Sequence, residues 1–216
     1  MNRPAFLART VLLDWDGTLL NSYAADANAY LAMFRALGIA WGARELKRHY
    51  SPDWYRVYRA ARIPRSLWAR ADRLWRAAYE SERPQLLSGA RTALRILERR
   101  FQLGLVTAGS RGRVRGQLRE FGLTDYFSVR VFSEDTTLKK PHPAPLNLAL
   151  DRLQAAPDDC VYVGDAPQDV EMARRAGIRV IGVLGPFPTA DRIRAARPDL
   201  LLSSIRDLPR HLRTRD

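Results

Sequence analysis

The chain has 216 residues and a mass of 24.6 kDa, which suits one domain or a core domain with a modest insertion. An apolar fraction of 46% and a charged fraction of 27% exclude a disordered chain, a collagen-like chain and a disulfide-rich miniprotein. No apolar run approaches the about 20 residues that cross a bilayer. The stretch Ala5-Phe6-Leu7-Ala8 is interrupted by Arg9, so it fails as a signal-peptide core. The single cysteine, Cys160, cannot form an internal disulfide, and a reducing cytoplasm is the expected location.

The formal net charge of +13 invites a nucleic-acid interpretation. Lysine occurs only at Lys47, Lys139 and Lys140, so nearly all of the 36 basic residues are arginine. The arginines are spread from Arg3 to Arg215, and many fall on the polar faces of predicted helices. A dedicated electrostatic binder usually mixes both cations in a stripe or tail. We therefore expect the charge to reflect the use of arginine for solvated cations, and we do not expect nucleic acid to be a partner.

The first predicted strand is the apolar run at 11–13. From residue 20 to residue 85 the pattern is helical, because apolar residues recur at intervals of three and four. Pro52 and Pro64 divide this region into three or four short helices, and it contains no convincing strand.

After residue 85, short apolar runs alternate with amphipathic segments. The further predicted strands cover 103–106, 129–132, 160–163, 180–183 and 200–202. The predicted helices cover 89–100, 111–121, 143–154, 167–176, 189–196 and 204–212. Such alternation is typical of a parallel sheet with helices on both faces. The predicted fold class is α/β, with a Rossmann-like doubly wound parallel sheet as the core and an all-helical insertion.

Chemically active side chains follow four of the predicted strands. They are Asp14 and Asp16 after the first, Thr107 after the second, Lys140 beyond the third, and Asp165 and Asp169 after the fourth. Functional loops of such sheets lie at the carboxyl ends of the strands. We therefore expect these side chains to converge on one edge of one sheet.

The combination of acids, lysine and hydroxyl indicates phosphate chemistry. Buried carboxylates are costly unless a cation lies among them, and oxygen ligands alone select Mg²⁺ before Zn²⁺ or copper. Lys140 and the Thr107 hydroxyl supply positive charge and a donor for phosphate oxygens. One aspartate can attack phosphorus, while another protonates the leaving oxygen and later deprotonates water.

Four motifs occur in order on consecutive strands. They are Asp14-Trp15-Asp16-Gly17-Thr18-Leu19, Thr107, Lys140-Pro141-His142-Pro143-Ala144-Pro145, and Gly164-Asp165 with Asp169. With these motifs the sequence resembles the haloacid dehalogenase (HAD) superfamily of phosphotransferases, most closely its phosphoglycolate-phosphatase-like branch, over nearly the whole chain. The resemblance implies a phosphatase core over 1–19 and 86–216. It also implies a mobile helical cap over 20–85, which would exclude water and select the substrate.

The resemblance also implies roles at the phosphoryl group. Asp14 would be the nucleophile that becomes phosphorylated, and Asp16 would be the general acid and base. Thr107 and Ala108 would hold the phosphoryl group. Lys140 would offset the charge of nucleophile and phosphate.

The implied cofactor is Mg²⁺. Its ligands would be Asp14, the backbone carbonyl of Asp16, and Asp165, with Asp169 in support. The implied activity is Mg²⁺-dependent hydrolysis of a small anionic phosphate monoester, phosphoglycolate-like, through an aspartyl-phosphate intermediate. A small phosphorylated metabolite is thus the expected partner. The pair Asn21-Ser22 departs from the Asp-Ser pair common in phosphoglycolate phosphatases, so the physiological substrate stays open.

Two alternatives stay open beside this hypothesis. A sugar-phosphate mutase of the same superfamily keeps every core motif. A nucleic-acid-binding module on an inactivated phosphatase scaffold is the alternative from a different class, although no nucleophile or metal acid is lost here. The phosphonate-cleaving branch is disfavoured, because that branch has alanine in place of Asp16, although Lys47 lies in the predicted cap. The oligomeric state cannot be read from the sequence.

Several other residues have plain structural interpretations. We interpret Lys139 as solvated, His142 as a loop residue near the rim of the site, and Cys160 as a small buried residue. The predicted cap carries five arginines in one stretch, namely Arg44, Arg48, Arg56, Arg59 and Arg62. Arginine suits bidentate capture of a carboxylate or a second phosphate, so we expect one or two of them to read substrate charge.

Overall fold

The computed structural model describes residues 6–215. Residues 1–5 and 216 of the predicted core lie outside the described residues. They include Ala5, the first residue of the apolar N-terminal stretch. The strands are β1 (Phe6–Ala8), β2 (Thr10–Leu13), β3 (Leu20–Asn21), β4 (Gln85–Leu86), β5 (Gln102–Val106), β6 (Val129–Val131), β7 (Cys160–Gly164), β8 (Arg179–Val183), β9 (Leu200–Leu202) and β10 (Leu212–Thr214). The α-helices are α1 (Tyr23–Ala36), α2 (Ala43–His49), α3 (Trp54–Ala60), α4 (Trp68–Tyr79), α5 (Ala90–Leu97), α6 (Arg111–Glu120), α7 (Ala144–Leu153), α8 (Pro167–Arg175) and α9 (Ala190–Ala196). Within 6–215, no helix combines the length and the apolar character of a membrane span.

The main sheet has six parallel strands in the order β6-β5-β2-β7-β8-β9. When these six strands are renumbered 1 to 6 in chain order, the arrangement reads 3-2-1-4-5-6, which is the doubly wound order. The direction of the strand order reverses between β2 and β7. All six strands coincide with the predicted apolar runs to within two residues at either end. The predicted α/β fold with a Rossmann-like core is therefore confirmed.

The two faces of the sheet have separate hydrophobic clusters because successive strand residues point to opposite sides. Val11 and Leu13 of β2 belong to the cluster that includes residues of α5 and α6. Leu12 belongs to the other cluster, which includes residues of α7, α8 and α9. Burial on both faces explains why these strands read as unbroken apolar runs in the sequence.

The chain divides into two compact units. The core unit comprises the described residues up to Leu20 and those from Leu86 onward, and the helical unit comprises Asn21–Gln85. Within the helical unit α1 packs on α4, where Ala25 and Ala29 lie against Tyr79. The helical unit thus has its own small packed interior.

Three local features differ from the sequence prediction. The segment predicted as a helix at 204–212 is a 3-10 helix, Ile205–His211, because Pro209 lies inside it and cannot donate a backbone hydrogen bond. The chain then forms β10, which pairs in parallel with β1, so Phe6–Ala8 of the N-terminal apolar stretch form a strand. Two-residue strands, β3 and β4, also form at the two ends of the helical region and pair with each other.

Candidate active site

The carboxyl ends of β2, β5 and β7 place the predicted site residues at one edge of the sheet. These three strands are neighbours in parallel register. Asp14 directly follows β2 and donates its backbone N–H to the carbonyl of Val163 at 2.9 Å. Thr107 follows β5, and Asp165 follows β7. The site therefore lies where the strand order reverses, which is where open α/β sheets bind ligands.

Lys140 connects three side chains at this edge. Its ammonium lies 3.0 Å from Oδ1 of Asp14 and 2.8 Å from Oδ1 of Asp169, and it donates to the Tyr162 hydroxyl at 2.8 Å. All four side chains are buried. Burial alone would lower the pKa of Lys140, but the charges of Asp14 and Asp169 hold that pKa above its ordinary value. The lysine is therefore a fixed positive charge beside Asp14.

The Asp169 carboxylate is fully engaged by the protein. Its Oδ1 accepts from Lys140 and lies 3.1 Å from the Tyr162 hydroxyl. Its Oδ2 accepts the backbone N–H groups of Asp165 at 3.1 Å and Ala166 at 3.0 Å. A carboxylate offers about four lone-pair positions, so these four contacts occupy them. Asp169 therefore fixes the loop that carries Asp165 and the position of Lys140.

Three carboxylates cluster among the described residues. One oxygen each of Asp14, Asp165 and Asp169 lies within 4.8 Å of the other two. Burial raises the pKa of Asp14 from 3.8 to about 7, against the lowering effect of Lys140. Burial, and then the charges of Asp169 and Asp14, raise the pKa of Asp165 well above its ordinary value. Oxygen donors and surplus negative charge suit a hard divalent cation such as Mg²⁺, so the residues present fit the predicted cofactor.

Gly17 and Thr18 of the first motif pack directly against Asp165. Gly17 has φ +78°, and a Cβ there would lie 2.2 Å from Oδ2 of Asp165. A side chain is therefore excluded by both conformation and space. The Thr18 hydroxyl lies 3.4 Å from Oδ1 of Asp165, and the Thr189 hydroxyl donates to the Asp165 carbonyl at 3.0 Å. The turn after β2 thus shapes the pocket of a carboxylate 148 residues further on.

The Asp16 carboxylate pairs with Arg113 of α6 instead of joining the acidic cluster. Nη1 of Arg113 lies 2.9 Å from Oδ1, and Nη2 lies 2.6 Å from Oδ2, which is a bidentate arrangement. The sequence prediction missed Arg113, because one arginine among so many carries no distinguishing pattern. Its only signal was its place in the first turn of the helix that follows Thr107.

The two predicted phosphate-binding residues form a tight loop after β5. Thr107 is buried, and its hydroxyl oxygen accepts the backbone N–H of Gly109 at 2.9 Å. Ala108 is half-buried. A Cβ at Gly109 would lie 2.5 Å from Nη2 of Arg113, so the loop runs close to that guanidinium. The hydroxyl keeps its proton available for donation to an anion.

Lys139, His142 and Cys160, for which we predicted no catalytic role, have structural contacts within the core unit. The Lys139 ammonium donates to the carbonyls of Ser133 and Thr136 and is exposed. Nδ1 of His142 accepts the backbone N–H of Ala144 at 3.1 Å, at the beginning of α7. Cys160 is fully buried in β7, and burial raises the pKa of its thiol to about 11.

Tyr162 is a second site residue that sequence reasoning missed. It lies within the apolar run of β7, and its hydroxyl is within hydrogen-bond distance of Lys140, Asp169 and the carbonyl of Val106. Burial, and then the charge of Asp169, raise its pKa well above the ordinary value, so the hydroxyl stays protonated. A tyrosine in a buried run looks like packing, and only its contacts reveal the polar tip.

Comparison with known proteins agrees with this architecture. The family profile described as haloacid dehalogenase-like hydrolase matches residues 11–183. The chain belongs to that family, so it is a hydrolase, and the resemblance predicted from its motifs is confirmed.

Similar proteins carry phosphatase names. The chain is 29% identical over 204 residues to the pyrophosphatase PpaX of Bacillus pumilus (strain SAFR-032). The aligned region covers 92% of this chain and 94% of that protein. The chain is 36% identical over 106 residues to the phosphoglycolate phosphatase of Yersinia pestis, which covers 49% of this chain and 46% of that protein. A crystal structure of a predicted phosphoglycolate phosphatase from Haemophilus somnus 129pt has the same fold, with a TM-score of 0.84 at 20% identity over 94% of this chain and 97% of that chain.

Proposed function

We propose that this hydrolase is a Mg²⁺-dependent phosphatase that cleaves a small anionic phosphate monoester, phosphoglycolate-like, through an aspartyl-phosphate intermediate. One observation carries the proposal: the buried Asp14 carboxylate touches Lys140 at 3.0 Å and lies in the cluster with Asp165 and Asp169. A nucleophile, a fixed cation and a cation-binding acid set are the parts that phosphoryl transfer needs. The phosphatase names of the similar proteins support the same reaction class.

In this mechanism Asp14 attacks phosphorus through Oδ2. Its Oδ1 is held by the backbone N–H of Trp15 at 2.8 Å and by Lys140. The new bond joins Oδ2 to phosphorus, and the bond from phosphorus to the leaving oxygen breaks with its electron pair on that oxygen. Lys140 stabilises negative charge beside the nucleophile, and the Thr107 hydroxyl and the loop N–H groups bind phosphoryl oxygens.

Asp16 transfers the protons in both halves of the reaction. In the first half it acts from its protonated form, in which the proton occupies a carboxyl lone pair that Arg113 does not use, and it donates that proton to the leaving oxygen. In the second half it takes a proton from water, and the water oxygen attacks phosphorus of the aspartyl phosphate. The bond from phosphorus to Oδ2 of Asp14 then breaks with its electron pair on Oδ2. The products are inorganic phosphate and the free Asp14 carboxylate, so atoms and charge balance.

Asp14, Asp165 and the carbonyl of Asp16 would hold Mg²⁺. When bound, the ion neutralises negative charge on the phosphate and on the acid cluster. Asp169 supports this set indirectly, because its four contacts already bind Lys140, Tyr162 and the loop of Asp165. Such supporting carboxylates orient the groups that contact the metal.

We further propose that the helical unit is the cap that selects the substrate. It carries five exposed arginines in one stretch, namely Arg44, Arg48, Arg56, Arg59 and Arg62. Asp53 lies 3.6 Å from Arg56 and 3.5 Å from Arg59, so it competes for these two side chains. The other three are therefore the better candidates for binding a carboxylate or a second phosphate of the substrate.

We also propose a cytoplasmic location. The single cysteine is buried, as suits a reducing compartment.

A second proposal is that nucleic acid is not a partner of this protein. Several arginines of the core unit are committed to internal acids, for example Arg111 and Arg152 to Asp135 and Arg113 to Asp16. Submicromolar binding to duplex DNA at physiological salt would contradict this second proposal.

The test is phosphate release from p-nitrophenyl phosphate by the purified protein with Mg²⁺, with Zn²⁺ and with EDTA. We expect turnover with Mg²⁺, little with Zn²⁺ and none with EDTA, because the donor set lacks histidine and cysteine. Full activity in the chelator would overturn the proposal. A screen of phosphorylated metabolites then identifies the substrate class, and interconversion of sugar phosphates without phosphate release would indicate a mutase instead.

A further inference from the structure

Four residues of the core unit form a continuous hydrogen-bonded chain that ends on Asp16. The indole N–H of Trp15 donates to Oε1 of Gln117 at 2.9 Å. Nη1 of Arg113 lies 3.3 Å from the same oxygen and 2.9 Å from Oδ1 of Asp16. Nη2 of Arg113 completes the pair with Oδ2 of Asp16 at 2.6 Å. The Asp16 carboxylate is thus held through both of its oxygens.

The far end of this chain is anchored in the protein interior. Trp15 is fully buried, and Gln117 is 9% exposed. Gln117 and Arg113 lie four residues apart on α6, so one face of that helix presents both side chains in the same direction. The backbone N–H of Trp15 also donates to Oδ1 of Asp14 at 2.8 Å. The backbone of Trp15 therefore contacts Asp14, the proposed nucleophile. Its indole N–H holds the Gln117 oxygen that Arg113 contacts.

We propose that Arg113 is the positioning residue for Asp16 and that Gln117 and Trp15 hold Arg113 in place. This inference rests on the proposed function, in which Asp16 donates a proton to the leaving oxygen. A bidentate guanidinium fixes both the position and the plane of a carboxylate, whereas a single hydrogen bond leaves it free to rotate. Asp16 needs this support because it directly precedes the turn at 17–19 and its side chain is partly exposed.

The same guanidinium also lies beside the predicted phosphate loop. A Cβ at Gly109 would lie 2.5 Å from Nη2 of Arg113 and 2.6 Å from Cγ2 of Val114, so the loop passes close to the guanidinium. Arg113 thereby sets the spacing between Asp16 and the loop that begins at Thr107. Proton donation to a phosphate ester depends on that spacing, and a misplacement of about 1 Å can cost about 10²-fold in rate.

The test compares two substrates that differ in their need for a general acid. An aryl phosphate with a nitrophenolate leaving group needs little protonation, whereas a simple alkyl phosphate needs it fully. The measured quantity is kcat/KM, which covers the steps up to the first phosphoryl transfer. For Arg113→Met, which keeps the aliphatic stem, we expect kcat/KM to fall about 10²-fold for the alkyl phosphate and less than about threefold for the aryl phosphate.

Two further variants should lower kcat/KM for the alkyl phosphate by less than Arg113→Met does. Arg113→Lys keeps the charge but cannot bind both oxygens in one plane, so it should restore part of the loss with the alkyl phosphate. Gln117→Leu removes the acceptor that anchors Arg113 and should show the same substrate preference with a smaller loss. If Arg113→Met does not fold, these two variants carry the test. Arg119→Met is the control, because Arg119 is an exposed arginine of the same helix, and it should leave both substrates unchanged.

Asp16→Asn separates failure of this inference from failure of the proposed function. If Asp16→Asn lowers alkyl phosphate turnover selectively while the folded Arg113 and Gln117 variants affect both substrates equally or not at all, the positioning role is wrong and the mechanism stands. Faster alkyl phosphate turnover in Arg113→Met would also overturn the inference, since the pair would then restrain Asp16. If Asp16→Asn leaves both substrates unaffected, the role of Asp16 itself is wrong.

Discussion

The core unit and the helical unit place their charged groups in opposite ways. In the core unit, Lys140 and the acids around it are buried, and each contacts several partners. In the helical unit the arginines are exposed, and aromatic side chains occupy the interior, as in the stack of Trp75 on Tyr79 at 4.8 Å. Burying a charge costs folding free energy unless a partner compensates it, whereas an exposed charge contributes little to stability and can be substituted at small cost. The comparison supports our proposals that the core unit carries the chemistry and that the helical unit selects the substrate.

The ion pairs of the two units differ in the same way. Arg56 pairs with Asp53 at 3.6 Å with both side chains substantially exposed, so the pair contributes little to stability. The pair of Lys140 with Asp169 at 2.8 Å is almost fully buried, so removing either partner leaves an uncompensated charge inside the protein. Substitutions in the core unit should therefore affect turnover and folding together more often than those in the helical unit.

The largest expected effect is on Asp14, the proposed nucleophile of the core unit. Asp14→Asn keeps the shape of the side chain but removes its ability to form the acyl phosphate. We expect kcat to fall by at least about 10³-fold, with the fold retained, because an entire catalytic route is lost. Steady-state kinetics with circular dichroism check this. Asp158→Asn, at an exposed aspartate of the same unit, is the control. Turnover of Asp14→Asn within about tenfold of the unsubstituted protein would refute the assignment.

The next effect concerns the proposed Mg²⁺ requirement of the same unit. Asp165→Ala removes a carboxylate of the acid cluster, so the apparent affinity for Mg²⁺ should fall by about 10- to 100-fold or more. Activation curves against Mg²⁺ concentration measure it, with Asp158→Ala as the matched control. An unchanged activation curve would show that Asp165 does not hold the ion.

A smaller effect, confined to KM, is expected in the helical unit. Arg→Ala substitutions at the five exposed positions should raise KM for an anionic metabolite about tenfold at one or two of them, since one charged hydrogen bond is worth about that factor. The positions free of competition from Asp53 are the best candidates. KM for p-nitrophenyl phosphate should hardly change, and kcat should stay the same. If all five variants bind the anionic substrate normally, the helical unit does not read charge and the comparison between the units fails.

The smallest effect is on stability in the absence of metal. The folded-state pKa of Asp14 is raised to about 7 from 3.8, so between these values the folded protein binds more protons than the unfolded chain. The free energy of unfolding should therefore decrease as pH rises through this window. In EDTA we expect the melting temperature to fall by a few degrees, in order of magnitude, between about pH 5 and pH 8.

Two controls sharpen the stability prediction. Asp14→Asn should weaken the pH dependence, and Mg²⁺ should stabilise the protein more at pH 8 than at pH 5, because the ion favours the ionised carboxylates. A melting temperature in EDTA that rises across this window would contradict the burial and repulsion inferred for the acid cluster.

The sequence was most informative where structure is local or strongly patterned. The run at 11–13 reads as a strand because both of its faces are buried, and the doubly wound order follows from alternating strands and helices. Pairing of β1 with β10 was missed, because a three-residue strand has too little pattern and its partner lies more than 200 residues away. The segment at 204–212 is helical, as predicted, but it forms a 3-10 helix over Ile205–His211, and the amphipathic spacing gave no sign of the effect of Pro209.

By itself the sequence determined the α/β fold class and which acids follow which strands, since those features depend on residue type and order along the chain. Only the tertiary structure decided that Arg113 pairs with Asp16, 97 residues away, and that Tyr162 joins Lys140. One arginine among many and one tyrosine in an apolar run have no local signature. Their roles come from the packing of α6 and β7 against the first motif, and that packing is the outcome of burying both faces of the sheet at once.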